Sequence, residues 1–331
     1  MIEVTPGIYQ LQLPMPNISL GHVNVYLVHG NNGYLLVDTG WNTDEAFNSL
    51  ENQLAEIGIG FEDVSQILVT HIHPDHYGLS GKLKQLSQAK IGLHYLEKDS
   101  IDSRYINIDQ LLQQVAQWLY INGAPTIELH ELQTASVGMM KFVTTTFPDV
   151  VLRGGETIST GTFSLQVLWT PGHSAGHISL YEPSQKILIT GDHILPTITP
   201  HIGLRPQSSI NPLGDYLKSL NALKQLEVNL ILPGHEHPFI NLQQRIEELI
   251  QHHQQRNSEI LETIKVKSKT AYQIATEITW MSDISGVSWQ KLAPWDRRMA
   301  VLETLAHLES MRFGKKVDKS LKDSTIYYQT T

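Results

Sequence analysis

The first 40 residues place apolar and polar side chains in the pattern of short β-strands. Three runs are rich in β-branched and aromatic residues: GIYQLQL at 7–13, VNVYLVHG at 23–30 and YLLVDTG at 34–40. The Asn-Asn-Gly sequence at 31–33 supplies the turn chemistry of a hairpin between the last two. We therefore expect the chain to begin with short strands joined by tight turns.

Helical and strand patterns alternate in the next segment. Apolar residues recur at helical spacing over 44–58 and 78–88, whereas QILVT at 66–70 and IGLHY at 91–95 are apolar runs of strand length. A run that is apolar throughout is typical of a buried strand. This alternation indicates an α/β fold class.

Residues 97–150 interrupt the alternation. DQLLQQVAQWLY at 109–120 has the spacing of an amphipathic helix, whereas the sequence from there to residue 150 has no regular pattern. We interpret the segment as a helical insertion packed over the domain. Long insertions either decorate a fold or wall its binding site, and the pattern leaves both roles open.

Four predicted strands end in turns that carry histidine or aspartate. Besides the strand at 66–70, these are the runs FSLQVLWT at 163–170, KILIT at 186–190 and NLILP at 229–233. Loops held by a rigid sheet are where binding sites are usually built. The polar turns lie at 71–76, 173–177, 192–193 and 235–237.

The last part of the chain is helical. We place a boundary after residue 245, which gives a larger domain at 1–245 and a smaller one at 246–331. The predicted helices lie at 243–264, 270–280 and 296–311, and a hairpin-like sequence follows at 313–329.

Composition and charge narrow the class of protein. The 331 residues are 41% hydrophobic, which is enough for a substantial core. The net charge of −9 lies almost wholly in residues 1–245 and disfavours a polyanion as the main partner. The N-terminus lacks signal-peptide character and no apolar stretch approaches membrane-spanning length, so we expect a cytoplasmic protein with no membrane partner.

The chain has no cysteine, which excludes disulfides, iron–sulfur clusters and thiolate metal sites. Imidazole and carboxylate remain as metal ligands, and HIHPDHYG at 71–78 concentrates them. His71 and His73 are two apart in an extended loop and can point the same way, whereas Asp75 and His76 follow at the turn into a helix. This split suits two neighbouring metal ions. The candidates that complete their ligand sets are His173, Asp192 and His235, each next to a glycine.

In order and approximate spacing, four motifs resemble those of the metallo-β-lactamase-fold hydrolases: THIHPDH (70–76), PGHSAGH (171–177), TGDH (190–193) and PGHE (233–236). The resemblance covers about residues 1–245. It implies a four-layer αβ/βα sandwich with the metals at one edge between two sheets.

The resemblance assigns seven metal ligands, all of them histidine or aspartate. His71, His73 and His173 would hold the first metal, Asp75, His76 and His235 the second, and Asp192 would bridge the two.

Branches of this family differ in their ligands. The common dizinc lactamases use a cysteine, which is absent here, and flavodiiron proteins carry glutamate where this chain has His73. The full histidine set most resembles the glyoxalase II-like and thioesterase-like branch. The nucleic-acid-cleaving branch shares the first motif, so this motif leaves it as an alternative.

The resemblance implies a hydrolase with two zinc ions, although manganese or iron also suits such ligands. Paired zinc ions lower the pKa of a shared water and supply hydroxide, which would attack a thioester or related acyl ester. Asp75 and Asp192 are the predicted catalytic residues, and Asp75 would hold the water as well as bind metal. We expect a small-molecule acyl substrate.

Five polar residues near these loops are candidate substrate contacts, with a packing role left open for each. They are Tyr77, His177, His193, His201 and Arg205. We expect His252 and His253, in a glutamine-rich helical stretch, to be solvated.

The C-terminal sequences TAYQIATEI (270–278) and RRMAVLETLAHLESMRFGKKV (297–317) resemble the winged-helix-like extension of LACTB2-type members of the superfamily. One role is the nucleic-acid-binding module of a metal-dependent RNA or DNA nuclease. The other is a packing or homodimerisation domain that walls the active site, which the nearly neutral charge of 246–331 favours. The basic residues available for nucleic acid are Arg312, Lys315, Lys316, Lys319 and Lys322.

Overall fold

Two β-sheets form the centre of the molecule. A computed structural model of the chain describes residues 1–16, 20–280 and 287–331. The first sheet has seven strands in sequential order, antiparallel from β1 to β4 and parallel from β4 to β7. They are β1 (Ile2–Thr5), β2 (Ile8–Pro14), β3 (His22–Val28), β4 (Tyr34–Val37), β5 (Val64–Leu68), β6 (Lys90–His94) and β7 (Val150–Leu152).

The second sheet has five strands. These are β8 (Thr157–Ser159), β9 (Ser164–Trp169), β10 (Ile178–Glu182), β11 (Ile187–Gly191) and β12 (Leu230–Pro233). Their order across the sheet is β12-β11-β10-β9-β8, and only the β11–β12 pair is parallel.

Helices cover the outer faces of both sheets. The first six are α1 (Asp44–Ala55), α2 (Pro74–Tyr77), α3 (Ser80–Ser87), α4 (Tyr95–Ile101), α5 (Ile108–Ile121) and α6 (Thr126–Thr134). The others are α7 (Pro212–Leu223), α8 (Leu242–Thr263), α9 (Ala271–Glu277) and α10 (Pro294–Phe313), followed by the hairpin β13 (Val317–Lys322) and β14 (Thr325–Thr330). Short turns of other helix types lie at Phe61–Asp63, Asp102–Ile106, Val137–Phe142 and Trp289–Lys291.

Three buried apolar clusters separate the layers. One lies between the sheets, where Val28 and Val37 of the first sheet meet Val167 and Ile189 of the second. Another joins the outer face of the first sheet to α1, α3 and α4, and the third joins the second sheet to α7 and the C-terminal helices. This layering confirms the predicted αβ/βα sandwich.

Local sequence explains where α1 begins. Thr43 has extended backbone and its hydroxyl accepts the Ala46 N–H, and Asp44 and Glu45 follow in the first turn. An oxygen cap and early acidic residues both stabilise a helix N-terminus.

The structure corrects three local expectations. Thr126–Thr134 is helical, although no regular pattern was visible after residue 120. Strand β10, which follows the PGHSAGH motif, was not predicted, because Ser179 and Glu182 are polar yet buried. His253, expected in solvent, is 1% exposed and packs beside His307 between α8 and α10.

The predicted boundary after residue 245 falls inside α8, which begins at Leu242. Helix α7 and the C-terminal helices share one apolar cluster, so the two predicted domains are packed together. The C-terminal region contains α8, α9, α10 and a hairpin, and its winged-helix character stays a prediction. None of the described helices has the length and apolarity needed to cross a membrane.

Candidate metal centre

The seven predicted ligands meet at one edge of the sandwich. Strands β5, β9, β11 and β12 end there, and each is followed within a few residues by histidine or aspartate. Gly172, at φ +144°, places His173, and a Cβ at that position would lie 2.5 Å from Cβ of Tyr216. At Gly234 a Cβ would lie 2.5 Å from Oδ1 of Asp192, so this position also needs glycine.

Three histidines and Asp192 form the first cluster. Nδ1 of His73 lies 2.9 Å from Nε2 of His71 and 2.9 Å from Nε2 of His173. Oδ2 of Asp192 lies 3.9 Å from Nε2 of His71 and 3.6 Å from Nε2 of His173. One ligand atom from each of the four residues thus faces a common centre.

The second cluster combines two carboxylates and two imidazoles. Nε2 of His235 lies 3.3 Å from Oδ2 of Asp75 and 3.4 Å from Oδ1 of Asp192. Nε2 of His76 lies 3.7 Å and 3.2 Å from the same two oxygens. Asp192 therefore turns Oδ2 towards the first cluster and Oδ1 towards the second, which is the geometry of a bridging carboxylate.

Backbone carbonyls orient two of the imidazoles. Nδ1 of His173 lies 3.0 Å from the carbonyl of His201, and Nδ1 of His235 lies 3.1 Å from the carbonyl of His22. Because a carbonyl oxygen only accepts, each Nδ1 carries the hydrogen and donates it. Each Nε2 thus faces its cluster and is the nitrogen that can bind metal.

Asp38 orients two more imidazoles. Its Oδ2 accepts from the hydroxyl of Thr70 at 2.9 Å and from Nδ1 of His76 at 2.7 Å. Since the Thr70 hydrogen is used in this way, its oxygen accepts from Nδ1 of His71 at 3.0 Å. Nε2 of both histidines is left free to bind metal.

Burial sets the charge state of the first cluster. Removal from water lowers the pKa of His71 and of His73 well below the usual range, and neighbouring histidines add to the effect. Burial also lowers the pKa of His173 to about 4, against the opposing influence of Asp192. All three imidazoles are therefore neutral at pH 7, the form that binds metal.

In the second cluster, nearby charges affect the pKa values more than burial does. Burial opposes protonation of His76 and His235, but the surrounding carboxylates have the larger effect. They raise the pKa of His76 well above its usual value and the pKa of His235 to about 10. Burial likewise opposes ionisation of Asp192, yet His76 and His235 hold its pKa well below the ordinary value. The carboxylates thus remain charged and attract a positive species.

The donor set fits a pair of metal ions. Nε2 of His71, Nδ1 of His73 and Nε2 of His173 face one centre, where a cation can contact all three nitrogen atoms. Among the described residues, the buried atoms Nε2 of His76 and Oδ1 of Asp192 have no aligned hydrogen-bond partner. Nitrogen and oxygen ligands of this kind suit zinc, and they are compatible with manganese or iron.

A cavity of about 250 Å³ opens beside both clusters. His73, Asp75 and His173 form its polar end. The insertion supplies one wall from α5 and Val137–Phe142, and α10 supplies another. The apolar side chains that line these walls are Leu111, Leu112, Val115, Met139, Met140, Trp295, Met299 and Leu302.

Of the five candidate substrate contacts, Arg205 is the one that lines this cavity. The hydroxyl of Tyr77 is instead engaged by the backbone carbonyl and N–H of Thr146. Nε2 of His177 accepts the backbone N–H of Asp192 at 3.2 Å, so this residue positions the bridging carboxylate.

The remaining two candidates are also held away from the cavity. His193 is fully buried against Tyr216. Nε2 of His201 donates to the carbonyl of Met299 at 3.0 Å, and its Nδ1 lies 3.2 Å from Nη2 of Arg205. Nδ1 of His201 therefore accepts a hydrogen bond from Arg205 and orients its guanidinium group.

Four residues that contact the ligand loops or line the cavity were not singled out from the sequence: Asp38, Glu97, Arg104 and Arg298. Asp38 directly follows strand β4, which is the signal that identified the other polar residues. Glu97 accepts the backbone N–H groups of Ile72 and Gly176 at 3.0 and 2.8 Å and so ties two ligand loops to α4. Arg104 and Arg298 have no local signal, because tertiary packing alone brings them to the cavity.

A two-sheet sandwich with two adjoining His/Asp clusters at one edge defines the class of this protein as a metal-dependent hydrolase. The chain belongs to the metallo-beta-lactamase superfamily, whose family model matches residues 18–235.

Individual relatives extend the similarity beyond that range. A crystal structure of the metallo-beta-lactamase family protein TTHA1429 from Thermus thermophilus superposes with a TM-score of 0.84 at 33% identity, covering 99% of this chain and 100% of that one. The Bacillus subtilis protein named "Probable metallo-hydrolase YqjP" is 26% identical over 330 residues, 98% of each chain. Human "Acyl-coenzyme A thioesterase MBLAC2" is 27% identical over 229 residues, 65% of this chain and 74% of that protein.

Proposed function

We propose that this protein hydrolyses a small acyl thioester or a related acyl ester with the help of two zinc ions. The observation that carries the proposal is the position of Asp192, whose two oxygens face two separate ligand clusters beside an apolar cavity. When bound, the two metals supply an activated water near neutral pH and polarise the substrate carbonyl.

Side chains of the protein hold the substrate and the attacking water in place, and one of them can accept the proton of that water. Burial opposes ionisation of Asp75, but His76 and His235 lower its pKa below the usual value, so it is a carboxylate at pH 7. Asp75 also lines the cavity, where an oxygen can accept the proton of the attacking water. A thiolate leaving group needs little protonation, which suits a site with no evident acid beside the clusters among the described lining residues.

The cavity favours an acyl chain over a polynucleotide. Leucine, methionine and tryptophan make up most of its apolar lining, and they exclude water from an apolar substrate segment. The similarity to a human protein named as an acyl-coenzyme A thioesterase points to the same chemistry.

The basic residues near the C-terminus give little support to nuclease activity. Glu309 accepts from Nε of Arg312 at 2.6 Å and from Nζ of Lys319 at 3.0 Å, so two of the five contact one carboxylate, which offsets one of their two charges. Helix α10 also supplies a cavity wall. We therefore assign the C-terminal region to enclosing the site, and a nucleic-acid partner is not favoured.

A substrate panel tests the proposal. Zinc-loaded protein is assayed against acyl-coenzyme A and glutathione thioesters, lactones and a phosphodiester. We expect acyl hydrolysis, and we expect His73→Ala to lower its kcat/KM at least about 100-fold. Loss of a metal ligand should reduce activity at least as much as loss of a residue that orients such a ligand. His130→Ala, an exposed histidine on α6, is the control and should retain activity. Phosphodiester cleavage without acyl hydrolysis would contradict the proposal.

A further inference from the structure

Three arginines line the cavity, each from a different part of the chain. Arg104 lies in the turn Asp102–Ile106 after α4, Arg205 lies in the loop after β11, and Arg298 lies on α10. The insertion, the sandwich and the C-terminal region thus each contribute one guanidinium group to the same space.

None of the three guanidinium groups pairs with a carboxylate among the described residues. No such ion pair within 4.0 Å involves Arg104, Arg205 or Arg298. Other arginines of the chain behave differently: Arg245 lies 3.0 Å from Glu248, and Arg256 lies 2.9 Å from Glu259.

Neutral groups make the contacts that these side chains do have. Nη1 of Arg205 lies 3.2 Å from Nε2 of His73. Nη1 of Arg298 donates to the carbonyls of Leu132 and Gln133 at 3.3 and 3.2 Å. Arg298 is 7% exposed, and its Nε has no partner among the described residues. Its positive charge is therefore buried without an anion.

This arrangement is electrostatically unfavourable while the cavity holds no anion. The guanidinium groups of Arg104 and Arg298 lie near enough to that of Arg205 to repel it. Burial and Arg104 also lower the pKa of Arg298, to about 10. A buried cation without a partner destabilises the protein, and an anionic ligand would offset this effect.

The arginines lie close to the reacting centre. Arg205 contacts Nε2 of His73, on the ring edge opposite the Nδ1 atom that faces the first cluster. An anion held by Arg205 is therefore separated from that cluster by one imidazole ring. Much of the remaining cavity wall is apolar.

We propose that Arg104, Arg205 and Arg298 bind a carboxylate or phosphate carried on the acyl part of the substrate. The cavity then selects acyl thioesters or esters that combine a negative group with a short apolar segment. The guanidinium fork binds either oxyanion through paired hydrogen bonds, so both sources share one recognition chemistry. The acyl chemistry rests on the proposed function, whereas anion binding does not.

Binding measurements test anion recognition separately from catalysis. Calorimetry on zinc-loaded protein compares dicarboxylates of four to six carbons with monocarboxylates of equal length, and 6-phosphonohexanoate serves as the phosphorus-containing probe. With one carboxylate of each probe at the metal centre, the second group would report on the arginines. We expect the best dianion to bind at least about tenfold more tightly than its monoanion, as a charge-assisted contact would give.

Variants show whether the arginines cause this preference. Arg104→Gln and Arg298→Gln should reduce it to less than threefold, about the size of measurement scatter. Metal content is measured in each variant. Arg153→Gln is the control, because Arg153 is exposed over the ring of Tyr95 and does not line the cavity. If Arg298→Gln fails to fold through loss of its contacts with α6, Arg104→Gln still gives the test.

Kinetics separate the two proposals. The S-phenyl thioester of adipic acid should be hydrolysed at least about tenfold faster in kcat/KM than that of hexanoic acid, by the same charge-assisted contact. Arginine-dependent dianion binding without thioester hydrolysis would support anion recognition and refute the proposed function. Equal binding of dianions and monoanions, or a preference that survives in both arginine variants, would overturn the inference.

Discussion

Asp38 shows how a residue outside both ligand clusters controls the site. Its backbone has φ +65°, a left-handed conformation that is uncommon for a non-glycine residue. In this position Oδ1 accepts the backbone N–H of Thr70 at 2.7 Å while Oδ2 accepts from Thr70 and His76. A single carboxylate thus determines which nitrogen of two ligand imidazoles carries hydrogen.

Asp38→Asn should weaken metal binding without unfolding the protein. The amide NH₂ cannot accept from Nδ1 of His76, so this ring loses the partner that orients it. We expect metal affinity to fall about 10–100-fold, and more at the second cluster than at the first. Competitive chelation of the purified variant measures this, with the exposed Asp99→Asn as control. Unchanged affinity at both sites would show that Asp38 has no orienting role.

At the scale of elements, α10 connects the cavity with the C-terminal core. It carries Arg298 and Met299 to the cavity. One turn further it carries Glu303, and then His307, whose ring packs beside His253 of α8. Burial raises the pKa of Glu303 to about 7, against the opposing charge of Arg256.

The raised pKa of Glu303 predicts that the protein becomes less stable as pH rises. The folded protein binds the Glu303 proton more tightly than the unfolded chain does. The unfolding free energy therefore has its full value below about pH 4.5, and the part that depends on this proton is lost as pH rises to about 7. Glu303→Gln should therefore raise the unfolding free energy at pH 8.5 by about 1–3 kcal/mol and have little effect at pH 4.5. Thermal denaturation at both pH values checks this. A gain of equal size at both values would rule out the titration, and exposed Glu262→Gln is the control.

Element-scale features also show where prediction from sequence succeeded. The NNG turn, the long helix α8 and the C-terminal hairpin each have a strong local pattern, and the structure contains all three. Helix α6 was missed because its apolar residues do not form one stripe: Ile127 is 91% exposed while Leu132 is buried. Its position depends on packing against α5 and α10, which no short window of sequence reveals.

At the scale of the whole molecule, the two predicted domains share a core. Leu213 and Leu220 of α7 belong to the same buried cluster as Ile246 of α8 and Leu305 of α10. Helix α10 further forms part of the cavity wall. The C-terminal region therefore completes both the core and the site.

We accordingly expect the chain to unfold in one cooperative step. Tryptophans report on both parts, since Trp41 lies in the larger predicted domain and Trp280 and Trp289 in the smaller. Urea unfolding of the metal-free protein should give coincident transitions by fluorescence and by circular dichroism. A chain cut after residue 245 should not fold stably. Two separate transitions, or a stable fragment, would establish independent domains.

Like the fold, the candidate site has one part that the sequence predicted and one part that it did not. The seven ligand candidates were visible because each follows a strand end, and parallel or adjacent strands bring their ends to one edge. Arg104 and Arg298 were not visible, since each reaches the cavity from a helical segment whose docking depends on the whole core. Sequence patterns therefore located the chemistry, whereas the substrate-facing walls required the three-dimensional structure.

Metal stoichiometry tests the central claim most directly. Protein reconstituted with zinc and freed of excess metal is measured by elemental analysis, for the unmodified chain, for Asp192→Asn and for the exposed control Asp318→Asn. Two clusters that share Asp192 predict two metal ions per chain in the unmodified protein and the control, and at most one in Asp192→Asn. An unmodified chain that retains no metal, or an Asp192→Asn variant that retains both ions, would contradict a carboxylate-bridged pair.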